Sequence, residues 1–261
     1  MITSRTYTKG DLLVFLCCIV FFAAALGAIG SGGRMRAKEA VCLSNLRQWG
    51  NIWAMFFADN DYQTARYMGW TYYMWDYYRD GKLRLCPAAV KNSYEGARQP
   101  FVAWMDDEDD DGVPDPLEID GIIVDQHHAG SYGMSSWCTQ DTFGHRHFVE
   151  NGNWFFALDQ DASEAPLFFD CASALSSPLP HDAPPEYPEQ RYAGGTDVNE
   201  IRDVCKDRHN GGVNILFLDL SARKVGLKEL WLLRWHRRWF DEPYVRPLPE
   251  WPEWMAKYRD P

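Results

Sequence analysis

The stretch Leu12–Ile29 (LLVFLCCIVFFAAALGAI) constrains this chain most, because it runs for eighteen residues without a charge. A bilayer-spanning helix needs ~20 such residues, so this run sits at the lower limit. A buried core helix of that length would show a polar stripe, and none is present. A cleaved secretory signal is the rival reading, with small residues over Ala23–Ala28 as its cleavage region. The sequence therefore predicts a transmembrane helix over 11–30, preceded by a short leader-like segment, 1–10. Arg5 and Lys9 lie before it, and Arg34, Arg36 and Lys38 after it, so flanking charge alone leaves its orientation open.

Beyond it, Val41–Asn60 places Cys42, Leu46, Trp49, Trp53 and Phe56 at alternating steps of four and three, which puts them on one helical face. The two segments together predict a stalk helix of about fifty residues, its second half covering 31–61. Gly30-Ser31-Gly32-Gly33 interrupts it, since each glycine weakens a helix by ~1 kcal/mol. Asp59-Asn60-Asp61 ends it. The remaining chain, 62–240, is long enough for a real core, and 241–261 is a Pro- and Trp-rich tail expected to pack along the surface. The net charge of −11 excludes a nucleic-acid partner, which requires a basic face.

Several motifs, in order, resemble type IV pilins and type II secretion pseudopilins. Those proteins carry a basic leader, a Gly, then Phe-Thr-Leu-x-Glu-Leu-Leu-Val. Here Tyr7-Thr8-Lys9-Gly10-Asp11-Leu12-Leu13-Val14 puts Tyr7 in the place of the mature N-terminal Phe and Asp11 in the place of the helix Glu. Thr6 stands where the prepilin peptidase expects Gly. The run Arg36–Gln48 (RAKEAVCLSNLRQ) is similar to the segment after the membrane helix in one large group of bacterial prepilin-like proteins. Cys86-Pro87, Ser131-Tyr132-Gly133-Met134 and Arg208-His209-Asn210-Gly211-Gly212 through Asp219 match later pieces of that group, with Ser135 in place of an Asn and Leu220 in place of the Gly after Asp219.

The resemblance implies an α+β fold in which the long N-terminal helix, first membrane-spanning and then amphipathic, packs on an antiparallel sheet. It also implies a non-enzymatic subunit of a type II secretion or type IV pilus-like filament. Its partners would be the lipid bilayer and other pilin-like subunits or secretion machinery. The protein would sit as a single-pass protein in the bacterial inner membrane, with a periplasmic or extracellular head. Thr6, Tyr7 and Asp11 would then serve processing and assembly, the Asp11 carboxylate offsetting a neighbouring subunit's amine. The competing reading of Asp11 is an acid at a helix start. His209 and Asp219 are the group's motif residues, for which a structural role is expected.

The sharpest chemical signal is Asp106–Glu118 (DDEDDDGVPDPLE). Counting from Asp107, the residues Asp109, Asp111, Val113, Asp115 and Glu118 fall at positions three, five, seven, nine and twelve, with Gly112 at six. That is the ligand spacing of a calcium loop: alternate carboxylates on a tight turn converge on one hard cation. A single site of the weak extracellular type is expected, with Kd ~10⁻⁴–10⁻³ M, acting to stabilise the loop. A solvated acidic turn is the bland alternative.

Of seven cysteines, Cys17 and Cys18 lie in the apolar run and none of the other five forms a C-x-x-C pair, which argues against a zinc site. In an extracytoplasmic head one or two disulfides are expected. Connectivity is not readable, but Cys42–Cys86 comes first because it would staple the stalk to the head. His127-His128 and His145-Arg146-His147 lack the partners of a zinc protease, and no Gly-x-Ser-x-Gly elbow exists. An anchored hydrolase is thus the weaker rival. The other is a tethered, calcium-dependent binding module that is neither processed nor assembled. Strands are expected at Ile119–Val124, Leu83–Pro87, Trp154–Leu158, Leu167–Asp170, Val213–Leu218 and Ser221–Val225. A short helix or strand is expected at Met68–Tyr78, and an amphipathic helix at Leu227–Phe240.

Overall fold

The computed structural model describes residues 8–28, 30–61, 69–105, 111, 113–125, 128–139, 161–191, 199–241 and 247–261. Helix α1 (Lys9–Ala28) opens at Thr8, whose amide and hydroxyl both donate to Asp11 Oδ2 at 2.8 Å while the Asp11 amide donates back to Thr8 Oγ1. This is a capping box, in which two residues satisfy each other's orphan groups at the helix start. The Thr8 hydrogen bonds hold the Asp11 carboxyl below its ordinary pKa. Asp11 therefore has a local partner, as the helix-start reading requires.

The membrane-spanning helix expected over 11–30 is corrected: no helix among the described residues is long and apolar enough to cross a membrane. Lys9 and Asp11 lie inside the first turn of α1. The uncharged remainder, Leu12–Ala28, rises about 25 Å at ~1.5 Å per residue, against a hydrocarbon core of ~30 Å. The single-pass anchor in the bacterial inner membrane lacks its spanning helix, and that localisation is withdrawn with it. The single stalk of about fifty residues is likewise two helices. Helix α1 is described to Ala28, and α2 (Ser31–Asp59) has Gly30 as its N-cap and takes Ser31, Gly32 and Gly33 into its own first turns.

The α+β character holds, but the sheet is mixed rather than antiparallel. Its five strands are β5 (Tyr132–Ser135), β6 (Pro166–Asp170), β7 (Leu175–Ser176), β8 (Gly212–Phe217) and β9 (Ala222–Gly226), in the order β7-β5-β6-β8-β9. All pairs are antiparallel except β5 with β7. After β6 the chain crosses the end of β5 in four residues and returns on its far side. Gly133 permits the crossing, because a Cβ there would lie 2.5 Å from Ser173 O and 2.8 Å from Cys171 Cβ. The Met134 amide then donates to Ala174 O at 2.9 Å and holds the crossing down.

Before the sheet lie two one-turn helices, α3 (Trp70–Tyr73) and α4 (Trp75–Tyr78), and a 3₁₀ turn at Gly81–Arg84 where an edge strand was expected. Strands β1 (Trp104–Met105) and β4 (Ala129–Gly130) form one small ladder. The single strand expected at Ile119–Val124 is instead a hairpin, β2 (Leu117–Ile119) with β3 (Ile122–Asp125). Asp120 and Gly121 turn it at φ 50 and 78, the Asp-Gly signature of a type I′ turn. Trp154–Leu158 lies outside the described residues.

Each face of the main sheet is covered. On one side the expected face of α2 is buried: Cys42, Leu46, Trp49, Trp53 and Phe56 pack with Phe168, Leu216 and Tyr132. Gly50 lets α2 approach the β8–β9 hairpin, since a Cβ there would meet Leu220 O at 3.2 Å. That hairpin has a left-handed residue in its turn, Leu220 at φ 66, a conformation that a leucine side chain ordinarily resists. Half-buried contact of Leu220 with the α2 core offsets the strain.

On the other side Phe169, Val213, Ile215 and Phe217 are covered by the C-terminal chain, chiefly Trp231, Trp235, Trp239 and Met255. The helix expected at Leu227–Phe240 is reduced to a 3₁₀ turn, Lys228–Leu232, followed by extended Leu233. Trp231, Leu233 and Trp235 are all buried, the first within the 3₁₀ turn and the other two in the irregular chain beyond it. A short helix α5 (Ile201–Val204) precedes β8.

Candidate functional site

Four metal-ligating side chains converge where α2 meets the sheet. Cys42, Cys86, Asp170 and His209 have donor atoms that all lie within 4.8 Å of one another, and all four residues are 0% exposed. Each comes from a different element. Cys42 is on the buried face of α2. Cys86 follows the 3₁₀ turn, and that segment is tied to α2 by Trp49 Nε1 donating to Leu83 O at 2.8 Å and Asn45 Nδ2 to Leu85 O at 3.4 Å. Asp170 is the last residue of β6. His209 stands just before β8, where Asn210 and Gly211 turn the chain at φ 49 and 83.

The distances describe one cluster. His209 Nε2 lies 3.1 Å from Asp170 Oδ2 and 3.3 Å from Cys86 Sγ. Cys42 Sγ is 3.5 Å from both Asp170 oxygens. A second layer surrounds them. Tyr132 OH donates to Cys42 Sγ at 3.2 Å, the Ala88 amide to Cys86 Sγ at 3.5 Å, and the Asn214 amide to Asp170 Oδ2 at 3.1 Å. Buried Arg208 spends its guanidinium on the carbonyls of Pro100, Ser131 and Val102 at 2.7–2.8 Å, and its Nη1 is 3.9 Å from Asp170 Oδ1.

Electrostatics follow from burial and these neighbours. Burial opposes charge on His209, but the Asp170 carboxylate, with Cys86, lifts its pKa to about 10. Burial alone would raise Asp170, yet His209, Arg208 and the Asn214 amide hold it below the ordinary carboxylate value. The Cys86 thiol is lowered: hydrogen bonds from Cys42 and His209 overcome burial. Cys42 is pushed well up by burial, Cys86 and Asp170. The arrangement differs from a Cys-His-Asp triad, in which the acid and the nucleophile hold opposite ring nitrogens. Asp170 and Cys86 share the same imidazole nitrogen, and no part of the cluster reaches solvent for a substrate to enter.

The structure brings Cys42 and Cys86 together, as expected, but as two thiols and not as a disulfide. His209 pairs with Asp170, while Asp219 accepts from Ser221 N and Oγ at 2.9 and 2.7 Å in the exposed β8–β9 turn. Asp170 was missed. Its only sequence signal is an acid closing the apolar run Pro166–Phe169, next to a cysteine. Of the calcium-loop residues, Asp107, Asp109 and Gly112 lie outside the described residues. Asp111 Oδ1 accepts from the Val113 amide at 2.7 Å, Asp115 O accepts from the His128 amide at 2.8 Å, and Glu118 lies exposed in β2. Thr6, Tyr7, His127, His145 and His147 also lie outside. His128 Nε2 contacts Thr71 Oγ1 at 2.9 Å, and its ring stands edge-on to Trp104.

A second feature is the surface of α1. Leu12, Val14, Phe15, Ile19, Val20 and Phe21 are between 47% and 72% exposed, and at 100° per residue they occupy every side of the helix. No protein-family model, curated protein or solved structure matches this chain.

Proposed function

We propose that this chain is a pilin- or pseudopilin-like structural subunit whose α1 helices pack against one another to build a filament with the α+β heads outside. The observation that carries the reading is α1 itself, an apolar helix ahead of the docked helix α2 whose large side chains from Leu12 to Phe21 stand 47–72% exposed. A helix apolar on all sides is stable only when buried, and a sheath of equivalent helices from further copies buries every side at once. The role in this proposal is structural. Calcium on the loop of Asp107, Asp109, Asp111, Val113, Asp115 and Glu118 stiffens the head in the same proposal, on the strength of the ligand spacing.

The test uses the full chain. Electron microscopy should show filaments of uniform diameter, and mild oxidation should join Cys17 or Cys18 of neighbouring copies, since both lie on exposed α1. Val20→Lys should abolish both while the head keeps its tryptophan fluorescence. A full-length protein that stays monomeric at every concentration, or forms only amorphous aggregate, overturns the filament. If that monomer also melts higher in millimolar calcium, the chain is instead a calcium-dependent binding module.

A further inference from the structure

We propose that Cys42, Cys86, Asp170 and His209 form a structural zinc site that clamps helix α2 to the sheet. The donor set decides the metal. Two sulfurs and an imidazole nitrogen are soft to borderline ligands, a set that suits Zn²⁺ and that Ca²⁺ and Mg²⁺, which take oxygen, do not use.

The spacing decides the geometry. Tetrahedral zinc with Zn–S ≈ 2.3 Å and Zn–N or Zn–O ≈ 2.0 Å has ligand-to-ligand edges of about 3.3–3.8 Å. The cluster already shows edges of 3.1, 3.3 and 3.5 Å, with every pair inside 4.8 Å. A metal drawn into the centre needs only small side-chain rotations.

The surroundings fit a metal thiolate. The Ala88 amide reaches back to Cys86 Sγ from two residues on, and Tyr132 OH donates to Cys42 Sγ. These are the outer hydrogen bonds that orient ligating sulfurs. Charge closes as well: Zn²⁺ with two thiolates and one carboxylate carries −1, and Arg208, buried 3.9 Å from Asp170, carries +1. Four protein ligands with no route to solvent leave no open position, so the ion would hold structure rather than activate water.

The function is a clamp. The four ligands come from α2, the segment after the 3₁₀ turn, β6 and the approach to β8, so one ion ties together parts of the chain from residue 42 to residue 209. The site is distinct from the calcium loop in both residues and ligand chemistry, and it stands whether or not the chain assembles into filaments.

The experiment uses the full chain, purified under reducing conditions without chelator. Metal analysis should find zinc at one ion per chain. Exchange for Co²⁺ should give the visible bands of a tetrahedral ion together with thiolate-to-cobalt charge transfer. A zinc-selective chelator that leaves calcium in place should lower Tm, and zinc should restore it. Cys42→Ser and Asp170→Asn should each weaken binding at least tenfold, judged only on variants whose tryptophan fluorescence stays native. Folded, fully reduced wild-type protein that takes up no cobalt, and whose Tm ignores both chelator and zinc, overturns the site. So does mass mapping that finds a Cys42–Cys86 disulfide in the protein as isolated.

Discussion

The charge cluster beneath α2 makes a quantitative prediction that needs no metal. Asp170 and His209 are 0% exposed and 3.1 Å apart. At an effective dielectric of ~20 their attraction is about 5 kcal/mol, much of it offset by the cost of taking both groups from water. Removing one member leaves the other charge buried without its partner, which costs ~3–5 kcal/mol. Asp170→Asn and His209→Gln should therefore each destabilise by that amount. The double variant buries neither charge, and Arg208 keeps its three carbonyl partners. It should cost about as much as one single change, not the sum of two, so the coupling equals the cost of one single change, ~3–5 kcal/mol. Urea titrations at pH 7, followed by tryptophan fluorescence in reducing buffer with excess chelator, measure all four corners of the cycle. Strict additivity would refute the reasoning, because it would mean that the two residues do not depend on each other's charge.

Two further tests probe the frame around the cluster. Gly133→Ala drives a Cβ into the backbone of the β6–β7 crossing, 2.5 Å from Ser173 O, and should cost ~1–3 kcal/mol as overpacking does. Gly32→Ala, with nothing within 4 Å in α2, should instead gain up to ~1 kcal/mol from helix propensity; equal urea midpoints for the two variants would contradict the crossing as described. Burial raises the Asp182 pKa to about 7, against the Leu179 and Ile201 amides that would lower it; Glu200 adds to the rise and Arg202 opposes it. A carboxyl raised on folding favours the native state below its unfolded value near 3.8, and that advantage is lost as pH climbs through about 7. Asp182→Asn should match wild type at pH 4 and exceed it by up to roughly 4 kcal/mol at pH 8; parallel stability curves for the two proteins would count against the buried acid.

Local pattern made part of this architecture readable. The four-and-three spacing of Cys42, Leu46, Trp49, Trp53 and Phe56 marks the face of α2 because one helix supplies all of it. Strand β8 is similarly self-announcing, an apolar run after Asn210-Gly211. Where the pattern misled, distant contacts had overridden it. The tryptophans of 231–239 suit a helix by type, but they are buried against the far face of the sheet from a 3₁₀ turn and a run of bends and turns. The apolar run 12–29 reads as a span by composition, but Lys9 and Asp11 fall inside the first turn of α1, which is described only to Ala28, and no described helix is long and apolar enough to cross a membrane. The four-residue cluster was harder still. Cys42 and Cys86 were placed side by side, yet Asp170 offers no spacing rule that ties it to either. Nor does the count from His209 to Asp219 hint that His209 turns inward while Asp219 faces water.

The wide sequence separation of the four cluster residues also has a kinetic meaning. Cys42 leaves the ribosome early, but its partners at 170 and 209 follow only after most of the chain has been made. Contacts of such long range are slow to form, because the chain between them must first be ordered. Closure of the cluster is therefore expected late in folding. Until then α2 carries a bare face of tryptophan and phenylalanine. Protection of the Cys42 thiol against alkylation, followed in time after dilution from denaturant, would serve as a clock for completion of the whole head.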